Sequence, residues 1–294
     1  MTPFRSGSVG LAGRPNTGKS SLLNRLLGQK LAIVSPRAQT TRHLLLGILN
    51  TAGCQMAFLD APGFQTRHRN LLNRSLNRRA SEAARDADVV AFVLEAMHIG
   101  AEDRAALARV PEDRPMVAVI NKVDLVRSAS SLLPFVARIA RERAFAAIVP
   151  VSAATGRNVP ELMRVLESLL PEGPPMYPAD QLTDRDERFF AAELLREKLF
   201  RALADELPYS CEVMVDSFRE EGRMRRIEAT LWVEREAHKP IVIGRGGATL
   251  KRIATEARKD MERMFGGKVF LQVWIKVRRG WSEDARLLRQ LGYA

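Results

Sequence analysis

The sequence predicts a doubly wound α/β domain followed by a smaller α+β domain, and three observations support this. Apolar runs of strand length alternate with helical patterns up to about residue 170, a proline-rich stretch ends that alternation, and the patterns beyond it follow a different order. A chain of 294 residues suits two domains. The expected boundaries are 5–172 for the first domain, 173–185 for the linker, 186–279 for the second domain and 280–294 for a tail.

The first domain opens with a short apolar strand at 8–12, a glycine loop and a helical pattern at 21–27. The loop, Gly13-Arg14-Pro15-Asn16-Thr17-Gly18-Lys19-Ser20, fits G-x-x-x-x-G-K-[ST] at every required position. Backbone N–H groups of such a loop and the following helix N-terminus converge on phosphate oxygens. Lys19 is expected to reach the β- and γ-phosphates, and the Ser20 hydroxyl to ligate magnesium.

Thr40 and Thr41 lie between that helix and a strand at 44–49. A threonine there, assigned to Thr41, can ligate the metal through its hydroxyl and meet the γ-phosphate through its N–H. Asp60-Ala61-Pro62-Gly63 follows a strand at 55–59 and fits D-x-x-G. Asp60 is expected to hold magnesium through water, and the Gly63 N–H to sense the γ-phosphate. Both contacts vanish on hydrolysis, as an order–disorder switch requires. Phe64 stands where Ras-like proteins carry the glutamine that orients water. It is either a core or partner contact or part of the mechanism, and slow turnover follows from the missing glutamine.

Asn121-Lys122-Val123-Asp124 follows a buried-strand pattern at 116–120. Asp124 can accept two hydrogen bonds from guanine, Asn121 can bond the base or tie this loop to the phosphate loop, and the Lys122 stem can cover the ring. A further run at 147–151 ends in Ser152-Ala153-Ala154, whose backbone N–H suits the guanine carbonyl. GTP and GDP are therefore the expected nucleotides.

A helix at 159–170 ends in four prolines within 171–178, an extended, semi-rigid linker. Next come a helix near 186–206, strands near 211–217 and 226–233, a helix near 249–265 and a strand at 269–277. Charge divides unevenly: residues 181–238 carry a net of −4, and residues 239–279 a net of +8, within a chain of +12. Inside the basic stretch, Ile243 precedes Gly244-Arg245-Gly246-Gly247, with Lys251 and Arg252 beyond. This fits the G-x-x-G loop that clamps a single-stranded RNA backbone in KH domains, or else a tight helix–helix turn. The order helix, strand, strand, helix, loop, helix, strand is that of a type II KH domain.

Other features bear on function class. Cys54 and Cys211 fall in separate segments without metal spacing, and the four histidines are scattered. No apolar stretch approaches the roughly 20 residues that span a bilayer, and the first residues lack a signal-peptide apolar region. Arg67, His68, Arg69, Arg74, Arg78 and Arg79 form a basic helix face that either contacts RNA or is simply solvated. Arg223, Arg225 and Arg226 flank a hairpin turn. Trp274 and Trp281 are expected to pack in the core.

Taken together, Gly13–Ser20, 39–43, Asp60–Gly63, Asn121–Asp124, Ser152–Ala154 and Gly244–Gly247 resemble the motifs of the bacterial Era family of GTPases along the full chain. The resemblance implies a P-loop GTPase domain followed by a type II KH domain. It implies a GTPase that binds the 3′ end of small-subunit ribosomal RNA and assists maturation of the 30S subunit. It also implies a monomeric cytoplasmic protein, with peripheral association at the inner membrane. Asn16 matches the position that helps hold a potassium ion in related GTPases. Ala61 departs from the family's usual threonine but leaves D-x-x-G intact.

Overall fold

The structure, a computed structural model, describes residues 3–65 and 70–293. The basic residues Arg67, His68 and Arg69 lie outside the described residues. The chain forms two compact units.

The first unit is an open sheet with helices between its strands. In chain order its elements are β1 (Arg5–Ala12), α1 (Lys19–Leu27), β2 (Leu45–Asn50), β3 (Cys54–Asp60), α2 (Leu71–Asp86), β4 (Val89–Glu95), α3 (Ala101–Leu107), β5 (Met116–Asn121), α4 (Leu132–Ile139), β6 (Ala147–Pro150) and α5 (Val159–Leu169). The sheet order is β2-β3-β1-β4-β5-β6. Only β2 runs antiparallel to its neighbour. The apolar runs of β4 and β5 are buried along nearly their whole length, as expected for central parallel strands covered on both faces. β1 lies between β3 and β4, so chain order reverses there, and ligands of such sheets bind beyond the strand ends at that point.

The proline-rich segment is part of this unit. Gly173 N–H donates to Phe4 O at 3.1 Å, and Ile48 N–H donates to Leu182 O at 2.8 Å. The fully buried Gln55 accepts from the N–H groups of Met176 (2.6 Å) and Tyr177 (2.9 Å) and donates to Tyr177 O (2.8 Å). An extended proline segment has unpaired backbone groups, and Gln55 supplies them with partners.

The second unit comprises α6 (Glu187–Ala202), β7 (Cys211–Glu221), β8 (Met224–Val233), α7 (His238–Ile243), α8 (Ala248–Phe265), β9 (Lys268–Val277) and α9 (Ala285–Gln290). β7 and β8 form an antiparallel hairpin, and β9 runs parallel beside β8 at the sheet edge. Asp186 caps α6 by accepting from Phe189 N–H at 2.8 Å. The residues expected to form a tail are integrated: Trp281 is fully buried and donates through Nε1 to Ser210 O at 3.2 Å, and Tyr293 OH donates to Glu212 at 2.6 Å.

Trp274 corrects the sequence reading. It is 53% exposed rather than packed in the core, because the alternation of β9 places it on the face opposite Val273 and Ile275.

Residues 33–40 also cluster with the second unit. Arg196, fully buried in α6, forks onto Glu193 at 2.9 and 2.5 Å and donates to the Thr40 carbonyl. Arg37 donates to Phe200 O at 2.9 Å and to Leu203 O, near the C-terminal end of α6.

Candidate nucleotide site and RNA-binding loop

The phosphate loop follows β1 and enters α1 through Gly18, whose φ of 94° suits glycine. A Cβ on Gly18 would lie 2.3 Å from Asn121 Nδ2, so the close approach also excludes a side chain. No side chain caps α1, which leaves its N-terminal N–H groups directed at the loop, as an anion site requires. Lys19 is buried at that entrance, with Nζ donating to Gly13 O (3.2 Å) and Arg14 O (2.9 Å). Burial pulls its pKa down to about 8, against the raising effect of Asp60. A buried ammonium so destabilised is stabilised by incoming phosphate charge.

Ser20, Thr41 and Asp60 come together. Ser20 Oγ donates to Asp60 Oδ2 at 2.6 Å and lies 2.8 Å from Thr41 Oγ1. Asp60 is fully buried, and burial pushes its pKa up to about 6 despite the Ser20 hydrogen bond and the Lys19 charge. Its other oxygen, Oδ1, is buried without a hydrogen-bond partner. A buried acceptor left unpaired is costly, and a hard cation with its water satisfies it. The hydroxyl–hydroxyl–carboxylate set fits magnesium. Thr40, by contrast, turns its hydroxyl to Ser35 Oγ (2.6 Å) and Arg37 O (2.9 Å), so only Thr41 joins the oxygen cluster.

Phe64 resolves one open alternative. It is 4% exposed and packs in the core with Ala61, Ala80 and Ala84, beneath the Arg109 guanidinium 5.6 Å from the ring centre. A phenyl ring in that environment orients no water.

At the base site, Asn121 performs the tying role. Its Nδ2 donates to Thr17 O at 2.9 Å, and its Oδ1 accepts from Ala153 N–H at 3.0 Å, so one side chain joins three loops. Asp124 remains exposed, with one oxygen accepting from Ser152 Oγ at 2.5 Å. Arg25 on α1 donates to Ala153 O at 2.9 Å and to Ala154 O at 2.5 Å, which fixes the far side of the site. Lys122 Nζ lies 3.2 Å from Glu95, which also receives Arg14 at 2.8 Å. Burial would raise the Glu95 carboxyl, but these two cations hold it below its usual range. Arg14 reaches Asp103 as well, at 2.9 Å. Glu95, Asp103 and Arg25 form no local motif with the loops they brace, and the sequence gives no sign of them.

In the second unit, Gly244–Gly247 links α7 to α8. Gly244, Gly246 and Gly247 have φ of 75°, 57° and 81°, a path that favours glycine, and nothing lies within 4 Å of where a Cβ on Gly246 or Gly247 would sit, so an RNA backbone can approach this loop closely. Arg245, Gly246, Lys251 and Arg252 are exposed around it, and Ile243 is half-buried. Arg225 is paired with Glu187 and Arg226 with Glu221, which makes the hairpin arginines structural at least in part. Cys54 and Cys211 are buried free thiols in separate units. Among the described residues no helix is long and apolar enough to cross a membrane.

The comparisons with known proteins agree with this geometry. Residues 8–122 match the family described as 50S ribosome-binding GTPase, and residues 206–282 match the KH domain. GTPase Era of Nitrosomonas eutropha is 49% identical over 99% of this chain and 98% of its own. GTPase Era of Chromobacterium violaceum is 48% identical, with the same shares. An Aquifex aeolicus Era variant solved with GDP and AlF4− is 36% identical, with a TM-score of 0.96 over 99% of this chain and all of its own. An Era structure in complex with MgGDPNP and nucleotides 1506–1542 of 16S ribosomal RNA gives the same identity and score over 99% of both chains. Two units, a P-loop GTPase fold and a KH fold, matched end to end at this identity, place the chain in the GTPase Era family.

Proposed function

We propose that this chain is a GTP-hydrolysing switch that binds the 3′ end of small-subunit ribosomal RNA through its KH unit and assists maturation of the 30S subunit. The observation that carries the nucleotide half is the convergence of Ser20, Thr41 and the unpartnered Asp60 oxygen beside the uncapped α1 N-terminus. Phosphates are received by the loop Gly13, Arg14, Pro15, Asn16, Thr17 and Gly18 and by Lys19. Ser20, Thr41 and Asp60 are the residues that would hold magnesium. A magnesium ion held there would supply charge neutralisation to the bound phosphates. Asp124 reads guanine, Ser152, Ala153 and Ala154 frame it, and Gly63 senses the γ-phosphate.

Because Phe64 is committed to the core, turnover is slow, and Asn16 is the residue that would help to hold a potassium ion supplying the missing charge compensation. The RNA half rests on the open Gly244–Gly247 loop and its exposed cations, and on the ribosomal RNA bound by the structural relative. On this reading the protein is a cytoplasmic monomer. Its charge of +12 favours peripheral contact with the anionic inner membrane.

Phosphate release measured with and without small subunits, in potassium and in sodium, tests the switch. Slow turnover that potassium and RNA accelerate is expected, with the potassium effect lost in Asn16→Ala. Identical rates in both salts would remove the potassium assignment. No hydrolysis under any condition would leave GTP as a structural ligand.

A further inference from the structure

The edge strand β9 has two faces of different character. Val269 is buried and Leu271, Val273 and Ile275 are half-buried on one face, which is the face packed against α7 and α8. Lys268, Phe270, Trp274 and Lys276 are exposed on the other, and Arg278 continues the row. Phe270 is 43% and Trp274 53% exposed, whereas the other two tryptophans, Trp232 and Trp281, are 8% and 0% exposed. An aromatic pair held open on one strand face is a cost in solvation that folding alone does not explain.

The neighbours on β8 give this face its chemistry. Arg226 is the register partner of Phe270, and its guanidinium lies 4.7 Å from the ring centre. Thr230, the partner of Trp274, is buried and donates to Asp216 at 2.6 Å, so the indole is flanked by a fixed strand. Asp216 on Thr230, Glu228 opposite Gln272, and Glu221 paired with Arg226 are the acids nearby. Against them stand Lys268, Arg226, Lys276 and Arg278. Flat aromatic surfaces interleaved with cations, and without aliphatic residues, suit stacked bases and phosphates better than an apolar protein surface. Phe270 and Trp274 are four residues apart, about 13 Å along a strand, so each receives a separate base.

We infer that this outer face of β9 is a second single-stranded RNA surface, on the side of the strand opposite the helices that carry the Gly244–Gly247 loop. It stacks bases on Phe270 and Trp274 and holds their phosphates with Lys268, Lys276 and Arg278. It extends the footprint beyond the roughly four nucleotides that a KH loop clamps. The inference rests on the RNA-binding reading above.

The test compares a short RNA of about six nucleotides with one of about fourteen, both cut from the 3′ end of small-subunit ribosomal RNA. Affinities are measured by fluorescence anisotropy for the full chain, for Phe270→Ala/Trp274→Ala and for Trp274→Phe. The double variant should lose roughly ten-fold or more per aromatic on the long RNA and under about two-fold on the short one. Trp274→Phe should keep most of the long-RNA affinity. Trp274 is the accessible tryptophan, so the long RNA should shield the emission from iodide quenching and the short RNA should not. Unchanged long-RNA affinity in the double variant, or equal loss on both lengths, overturns the second surface alone and leaves this face to another partner. Failure of the unmodified protein to bind either RNA overturns the RNA-binding reading and this inference with it.

Discussion

At the scale of single residues, Asp60 and Asp124 carry the sharpest consequences. Burial raises the Asp60 pKa from 3.8 to about 6, so the folded, ligand-free chain holds that proton more tightly than the unfolded chain. Asp60 therefore subtracts stability as pH rises from about 4 to about 6, and below about 4 the penalty is absent. Thermal melts of the nucleotide-free protein should show Asp60→Asn gaining stability relative to the parent across that window. Magnesium needs the carboxylate, so magnesium–nucleotide affinity of the parent should climb towards about pH 6 and level off above it, while Asp60→Asn binds weakly with a flat profile. A flat profile in the parent would contradict the buried carboxylate. For Asp124, replacement by Asn removes charge-assisted bonds worth about 1.5–3 kcal/mol, roughly ten-fold or more in GTP affinity. Competition binding should show preference moving to xanthine nucleotides, whose oxygen accepts from the new amide.

Among the elements, α6 contrasts with the strands around it. Glu193, Arg196, Glu197 and Lys198 are buried together with apolar neighbours, so the helix shows no clear apolar stripe. Removing one partner of a buried ion pair leaves the other charge uncompensated, and Arg196→Ala should cost about 3–5 kcal/mol. Arg196→Met combined with Glu193→Leu should recover much of that loss. All three tryptophans lie in the second unit, so tryptophan emission during urea unfolding reports on it specifically. No shift in that transition for Arg196→Ala would show the pair to be inconsequential.

The same helix marks the limit of what the sequence discloses. The phosphate loop, D-x-x-G and the Asn121–Asp124 loop are legible because each is a consecutive run whose backbone conformation is set by its own residues. Buried-run patterns likewise locate β5 and the KH strands. The bracing contacts of Arg14 with Glu95 and Asp103, of Arg25 with Ala153, and of Arg196 with Thr40 join distant segments, and no local pattern encodes them. Trp274 departs from its expected place for a related reason: the strand pattern is local, but which face of it is exposed depends on packing elsewhere in the chain.

For the whole molecule, the proposed function divides between the two units, with nucleotide binding in one and RNA binding in the other. Replacing both Gly244 and Gly247 by aspartate obstructs the loop and places negative charge beside an RNA backbone. RNA affinity should fall strongly and the slope of its salt dependence should decrease, since fewer phosphates are neutralised, while GTP affinity stays unchanged. Lys19→Ala should do the reverse to the nucleotide, abolishing GTP binding in a chain whose KH unit remains folded. The most direct measurement of the central claim is crosslinking in cells followed by sequencing of the bound RNA, with the parent and the Gly244→Asp/Gly247→Asp chain each also assayed for GTP binding. Reads concentrated at the 3′ end of small-subunit ribosomal RNA are expected for the parent, and their loss in a variant that still binds GTP. Reads scattered without preference, or an unchanged concentration in the variant, would contradict it.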